Sequence, residues 1–156
     1  KYYYIRKKLY RYKLDKKKWL KILPKDTHRI LLKDPVLKKE GFFPESVWTT
    51  GKAKISGFDM NISDANYMKI YVYGDNLAYD YDPAKMGLKV FVDGKKVKFH
   101  SRKYNSLYFE LDHQKSAHEI SIHTKTFKPK DFGMGNDNRE VGIDIISISF
   151  IKEIKQ

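Results

Sequence analysis

From residue 48 onward, apolar and polar residues alternate with a period of two. Ala53, Ile55 and Gly57 alternate with Lys52, Lys54 and Ser56. Over residues 67–73, Met68, Ile70 and Val72 share one side, and Tyr67, Lys69, Tyr71 and Tyr73 share the other. Successive side chains of a strand point to opposite faces, so this pattern predicts strands with one buried face. Residues 88–92 and 96–99 flank Asp93-Gly94, a two-residue hairpin signal, because both central positions of a type I′ turn need positive φ. Residues 107–111, 119–124 and 142–150 complete the set. Short strands with turns every 8–12 residues or so predict an all-β, antiparallel β-sandwich of jelly-roll or immunoglobulin-like type. No helical period follows residue 25, which argues against folds with crossover helices.

The first 47 residues read differently. Tyr2, Ile5, Leu9 and Tyr12 recur at helical spacing, with Lys7, Lys8 and Arg11 between them. Lys16, Lys17 and Lys18 then lead to Trp19, Leu20, Ile22 and Leu23, and Pro24 ends the pattern. Residues 1–25 are therefore expected to form a basic, partly helical arm, with the sandwich domain over 26–156. Lys7, Lys8, Arg11, Lys16, Lys17 and Lys18 are its candidate contacts to an anionic surface such as a membrane face. A linker from an upstream domain fits the same pattern. Residues 26–47 are punctuated by Pro35, Gly41 and Pro44 and read mostly as loop, with a short strand at 29–32.

Charge sharpens this division. The chain of 156 residues carries a net charge of +13. Eleven basic residues and one acidic residue fall within residues 1–25, so the folded body is close to neutral. That counts against specific nucleic-acid recognition by the domain. The absence of cysteine removes any disulfide framework or thiolate metal site. No long apolar run and no apolar leader are visible, so the expected location is cytoplasmic, with peripheral membrane association through the arm as its extension. The chain starts at Lys1 and reads as part of something longer.

The search for chemistry yields binding candidates and no catalytic ones. Gly133-x-Gly135 leads to no helix and reads as a turn, not a phosphate loop. His118 and His123 are five apart on a predicted strand, which rules out paired-histidine metal spacing, and no metal or cofactor is expected. Asp80 and Asp82 bracket Tyr81 and read as solvated loop acids. Tyr79 and Tyr81 could stack on sugar rings or pack on the sandwich edge. Residues 127–145 form a long, turn-rich entry to the last strand, in which Pro129 stops the preceding strand. Asp137 can cap backbone amides there, and Arg139 can hold carboxylates or carbonyls. Gly142 marks a place where a side chain would collide with a facing strand.

This last stretch resembles the C-terminal signature of β-sandwich accessory domains attached to bacterial glycosyltransferases and related surface-polysaccharide proteins. In that signature Phe-x-Pro and a Gly-rich turn precede Asp-x-Arg-x-Leu-Gly and two alternating hydrophobics. Phe127, Pro129, Gly133, Asp137, Arg139, Gly142, Ile143 and Ile145 fit it, with Val141 in place of Leu. Gly41-Phe42, Glu45 and Trp48-Thr49 resemble the family's opening, and the hairpin at Asp93-Gly94 resembles its strand turn. The likeness covers roughly residues 41–150. It implies a non-catalytic module that binds or positions a glycan or lipid-linked glycan, tethered to an upstream catalytic domain in the same chain. Trp48, Tyr79, Tyr81, Asp137 and Arg139 are the candidate ligand contacts. A buried Trp48 and a structural lock at Asp137–Arg139 are the preferred readings of those residues. The rivals are a docking domain for a partner enzyme and an anionic-surface binder acting through the arm.

Overall fold

The computed structural model of the chain describes residues 28–73 and 82–155. The arm residues Lys7, Lys8, Arg11, Lys16, Lys17 and Lys18, and the tyrosines Tyr79 and Tyr81, lie outside them.

The described residues form an all-β fold. The strands are β1 (Arg29–Leu31), β2 (Lys38–Phe42), β3 (Thr49–Ser56), β4 (Met60–Asn61), β5 (Tyr67–Val72), β6 (Lys89–Val92), β7 (Lys95–Lys103), β8 (Ser106–Glu110), β9 (Ser116–Ala117), β10 (Ile120–His123) and β11 (Ile145–Ile151). Nine of them make one antiparallel sheet in the order β1-β11-β5-β8-β7-β6-β10-β3-β2, and β4 pairs with β9 separately. The sheet is two halves sharing β7. Lys95, Lys96 and Val97 pair with β6, whereas the rest of β7 pairs with β8. A register shift between Phe99 and Ser101 bends the strand between its two partners. Away from β7 the halves meet again. Trp48 bridges Asp144, and Thr49 N–H donates to Ile143 O at 2.9 Å.

The alternation in the sequence decides which side chains fill the space between the halves. Met68, Ile70 and Val72 of β5 and Ile145, Ile148 and Phe150 of β11 join Ile55, Val90, Val92, Ile120 and Ile122 in one buried cluster. Each such side chain contributes about 1.5–3 kcal/mol by leaving water. On β3 the opposite positions Lys52 and Lys54 are exposed, and on β5, β6 and β10 the opposite positions are mostly half-buried.

The predicted hairpin is present. Val92 pairs with Lys95, and Asp93 and Gly94 have φ of 50° and 79°. The Asp93 carboxylate also accepts from the N–H groups of His118 and Glu119 at 2.8 and 2.9 Å, anchoring the turn to the entry of β10. Three features depart from the sequence reading. Residues 38–42 are a strand rather than loop, because Gly41 (φ 75°) makes a bulge that lets the chain keep pairing with β3. Asp82 is not a free loop acid. It caps a one-turn helix, α1 (Pro83–Met86), accepting from Ala84 and Lys85 N–H at 2.9 and 3.3 Å. Pro129 lies beyond the end of β10 and opens a 3₁₀ turn, η1 (Pro129–Phe132).

Candidate functional site

Two separate stretches of sequence, 41–49 and 127–145, come together at one end of the fold. Glu45 at φ 54° turns the chain after β2, and Phe43 N–H donates to Trp48 O at 3.0 Å. This places Phe43 under the Arg139 guanidinium, 4.6 Å from the ring centroid. Arg139 Nε and Nη2 donate to the two carboxylate oxygens of Asp137 at 2.9 and 2.7 Å. The Arg139 backbone N–H also donates to Asp137 Oδ1 at 3.1 Å. The guanidinium bonds hold the Asp137 carboxyl below its usual range, with the backbone donor adding to the effect. Lys130 N–H donates to the Asp137 carbonyl at 2.9 Å, tying this pair to η1.

The pair is a lock of modest reach. The sequence reading allowed Arg139 several carbonyl or carboxylate partners. Among the described residues it holds the Asp137 carboxylate and covers Phe43, and the pair remains partly exposed. Trp48 is half-buried instead of sealed in the core. Its ring meets buried Phe127 edge-to-face at 5.9 Å, and Phe127 meets Phe132 in the same way at 5.7 Å. These rings form a small aromatic satellite beneath the loop.

Gly142 joins this loop to the sheet. Its N–H donates to Thr49 O at 2.8 Å, and Ile143 N–H donates to the buried Thr49 hydroxyl at 3.0 Å. A Cβ on Gly142 would sit 2.4 Å from Thr49 Oγ1, 2.6 Å from Thr124 Oγ1 and 3.0 Å from Gly51 N. Gly51 and Thr124 in turn line an open groove on the outer side of the β2–β3–β10–β6 half.

That groove has a volume of about 1050 Å³. Its lining comes from the start of β3 (Thr50, Gly51, Lys52), from the exit of α1 (Gly87, Lys89) and from the end of β10 and beyond (His123, Thr124, Lys125, Thr126). Sheet register explains the meeting. His123 lies opposite Lys52 on one side and Lys89 on the other, so the three form a row across three strands. Lys125 N–H donates to Met86 O at 2.7 Å and draws α1 onto the groove rim. Glycines keep the floor low. A Cβ on Gly51 would come within 2.8 Å of Thr126 Cγ2. Among the described residues, no sequence candidate contributes to this lining. The signal was present, since alternation places Lys52, Lys89 and His123 outward, but their adjacency depends on a strand order that periodicity does not encode.

Of the sequence candidates, Trp48, Asp137 and Arg139 gather at the loop end, close in the chain to the groove floor. Among the described residues no group of His, Asp and Glu is placed to hold a metal ion, and no helix is long and apolar enough to cross a membrane. His118 lies between two carboxylates instead, with its ring nitrogens 3.1 Å from Asp59 and 3.3 Å from Asp93. Comparison of the chain with protein-family models, with curated proteins and with solved structures finds no match.

Proposed function

We propose that the chain is a non-catalytic glycan-binding or glycan-positioning module of a larger glycosyltransferase or surface-polysaccharide protein. The observation that carries this reading is the groove. It is open, it runs over the sheet, and seven of its nine lining residues carry a hydroxyl, imidazole or ammonium group. Such groups match the dense hydroxyls of a sugar chain, and an open groove admits a polymer at any point along its length. The loop at 127–145 supports the groove from below through Gly142, giving the accessory-domain signature a scaffolding part in the same site. Weak affinity, on the order of millimolar to micromolar, suffices when a tether supplies effective concentration.

The docking alternative calls for a contiguous exposed apolar face. The large exposed hydrophobics among the described residues are Tyr71, Tyr73, Tyr104 and Phe132, spread over β5 and the residue after it, the β7–β8 turn and η1. The glycan reading is therefore preferred. A glycan array probed with the full chain tests it. Retention on one or more glycans, recovered intact, is the expected result, and no retention on any array member overturns it.

A further inference from the structure

We infer that the groove takes the anionic groups of an acidic glycan, one bearing carboxylate, sulfate or phosphate substituents. This rests on the glycan reading above and adds the ligand's charge class to it.

Charge placement on one sheet face supports the inference. Lys52, His123 and Lys89 stand side by side on β3, β10 and β6, all pointing outward, with Lys125 on the rim. The two lysines of the row are two strand spacings apart, roughly 10 Å between backbones. Like charges directly opposite one another destabilise a sheet; His123 separates these two lysines, and a nearby acid is the ordinary remedy for the positive field they share. The neighbouring row has that remedy. Lys54 lies opposite Glu40 in the register and is 3.9 Å from Glu119. Lys95, at the hairpin, has Asp112 at 2.8 Å. Among the described residues no carboxylate lines the groove, and Lys52, Lys89 and Lys125 make no ion pair there. An acid accompanies the neighbouring row and, among the described residues, none accompanies this one, which leaves the groove a positive field that an anionic ligand group would complement.

The surroundings favour a sugar acid over a nucleic acid. Hydroxyl side chains, Thr50 and Thr126, flank the lysines. The lining holds no Phe, Tyr or Trp, and its His123 ring packs tilted against Phe91 at 5.5 Å and 57°. Single-stranded nucleic-acid sites depend on aromatic stacking platforms.

The test is an NMR titration of the ¹⁵N-labelled full chain at two salt concentrations. The probes are an oligogalacturonate, a neutral maltooligosaccharide of equal length, inorganic pyrophosphate and an oligothymidylate. The variants are K52Q/K89Q, its charge-restoring counterpart K52R/K89R, and K16Q/K17Q/K18Q in the arm. The amide spectra of the unliganded variants establish that each is folded. The oligogalacturonate is expected to shift amides at 50–52, 87–89 and 123–126, more weakly as salt rises. K52Q/K89Q is expected to weaken that binding about tenfold, equivalent to roughly 1.4 kcal/mol, with K52R/K89R restoring most of it. The arm variant is expected to leave the groove shifts in place. Equal groove shifts with the neutral sugar overturn the acidic assignment and leave the glycan reading standing. Pyrophosphate shifts without any sugar response overturn the glycan reading while keeping an anion site. Shifts confined to residues 1–25, or tighter groove binding of the oligothymidylate, overturn the inference.

Discussion

Replacing Gly142 by alanine adds one methyl group at the point where the 127–145 loop meets the sheet. That methyl would lie 2.4 Å from Thr49 Oγ1, 2.6 Å from Thr124 Oγ1 and 3.0 Å from the Gly51 backbone nitrogen. Thr49 cannot rotate away cheaply, because it is fully buried and its hydroxyl accepts from Ile143 N–H. Backing the strap away instead stretches the 2.8 Å bond from Gly142 N–H to Thr49 O. Overpacking of this kind costs about 1–3 kcal/mol. Losing the bond to the buried Ile143 N–H adds about 1–3 kcal/mol. The expected total is about 2–4 kcal/mol, below the simple sum because relaxation trades one cost against the other. Gly133→Ala is the matched control. Gly133 has φ of 75° and nothing within 4 Å of an added Cβ, so only the left-handed backbone is penalised. That penalty is about 1–2 kcal/mol. Urea unfolding followed by circular dichroism, with unchanged slopes, provides both values. A Gly142→Ala cost at or below that of Gly133→Ala would refute the argument from contact.

Two further outcomes concern the lock. Arg139→Ala removes one partly exposed bidentate ion pair and one guanidinium–ring contact with Phe43, each worth about 0.5–1 kcal/mol, so a loss near 1–2 kcal/mol is expected. Measured by the same unfolding assay, a loss above about 3 kcal/mol would mean that Arg139 holds buried groups as well. Asp137→Asn tests the pH dependence. The folded carboxyl lies below its unfolded value of about 4, so its contribution is complete above that pH and is lost as pH falls through the folded value. The stability gap between wild type and Asp137→Asn, at most about 1 kcal/mol for an exposed pair, is expected at pH 7 and to close as pH falls below the unfolded value and through the lowered folded one. A gap independent of pH contradicts the assignment.

Strand identity was legible because burial on one face imposes period two, and Met68, Ile70 and Val72 are buried as the alternation requires. The Asp93–Gly94 hairpin was legible because turn chemistry is local. What escaped was set by partners distant in the chain. Residues 38–42 carry a glycine that suggests loop, and only pairing with β3 shows Gly41 to be a bulge whose Cβ would lie 1.8 Å from Lys52 O. The tiny β4–β9 pair is too short for a periodic signal. Asp82 looked like a free acid because α1 is a single turn, shorter than any helical pattern can reveal. The candidate site divides in the same way. Asp137 and Arg139 are two apart, so their mutual contact was foreseeable, whereas Phe43 beneath the guanidinium was not. The groove is composed across β3, β6 and β10, and its lysine row emerges only from their register.

The central claim is that this groove is a glycan site on a module without catalysis. The most direct measurement is an amide chemical-shift titration of the full chain with the strongest binder from the glycan array, with the sugar's own resonances followed in the same tube. The account predicts saturable shifts centred on Thr50, Gly51, Lys52, Gly87, Lys89, His123 and Lys125, a dissociation constant on the order of micromolar to millimolar, and a glycan unchanged at the end. Saturable shifts located elsewhere on the domain, or steady cleavage of the sugar, would contradict it.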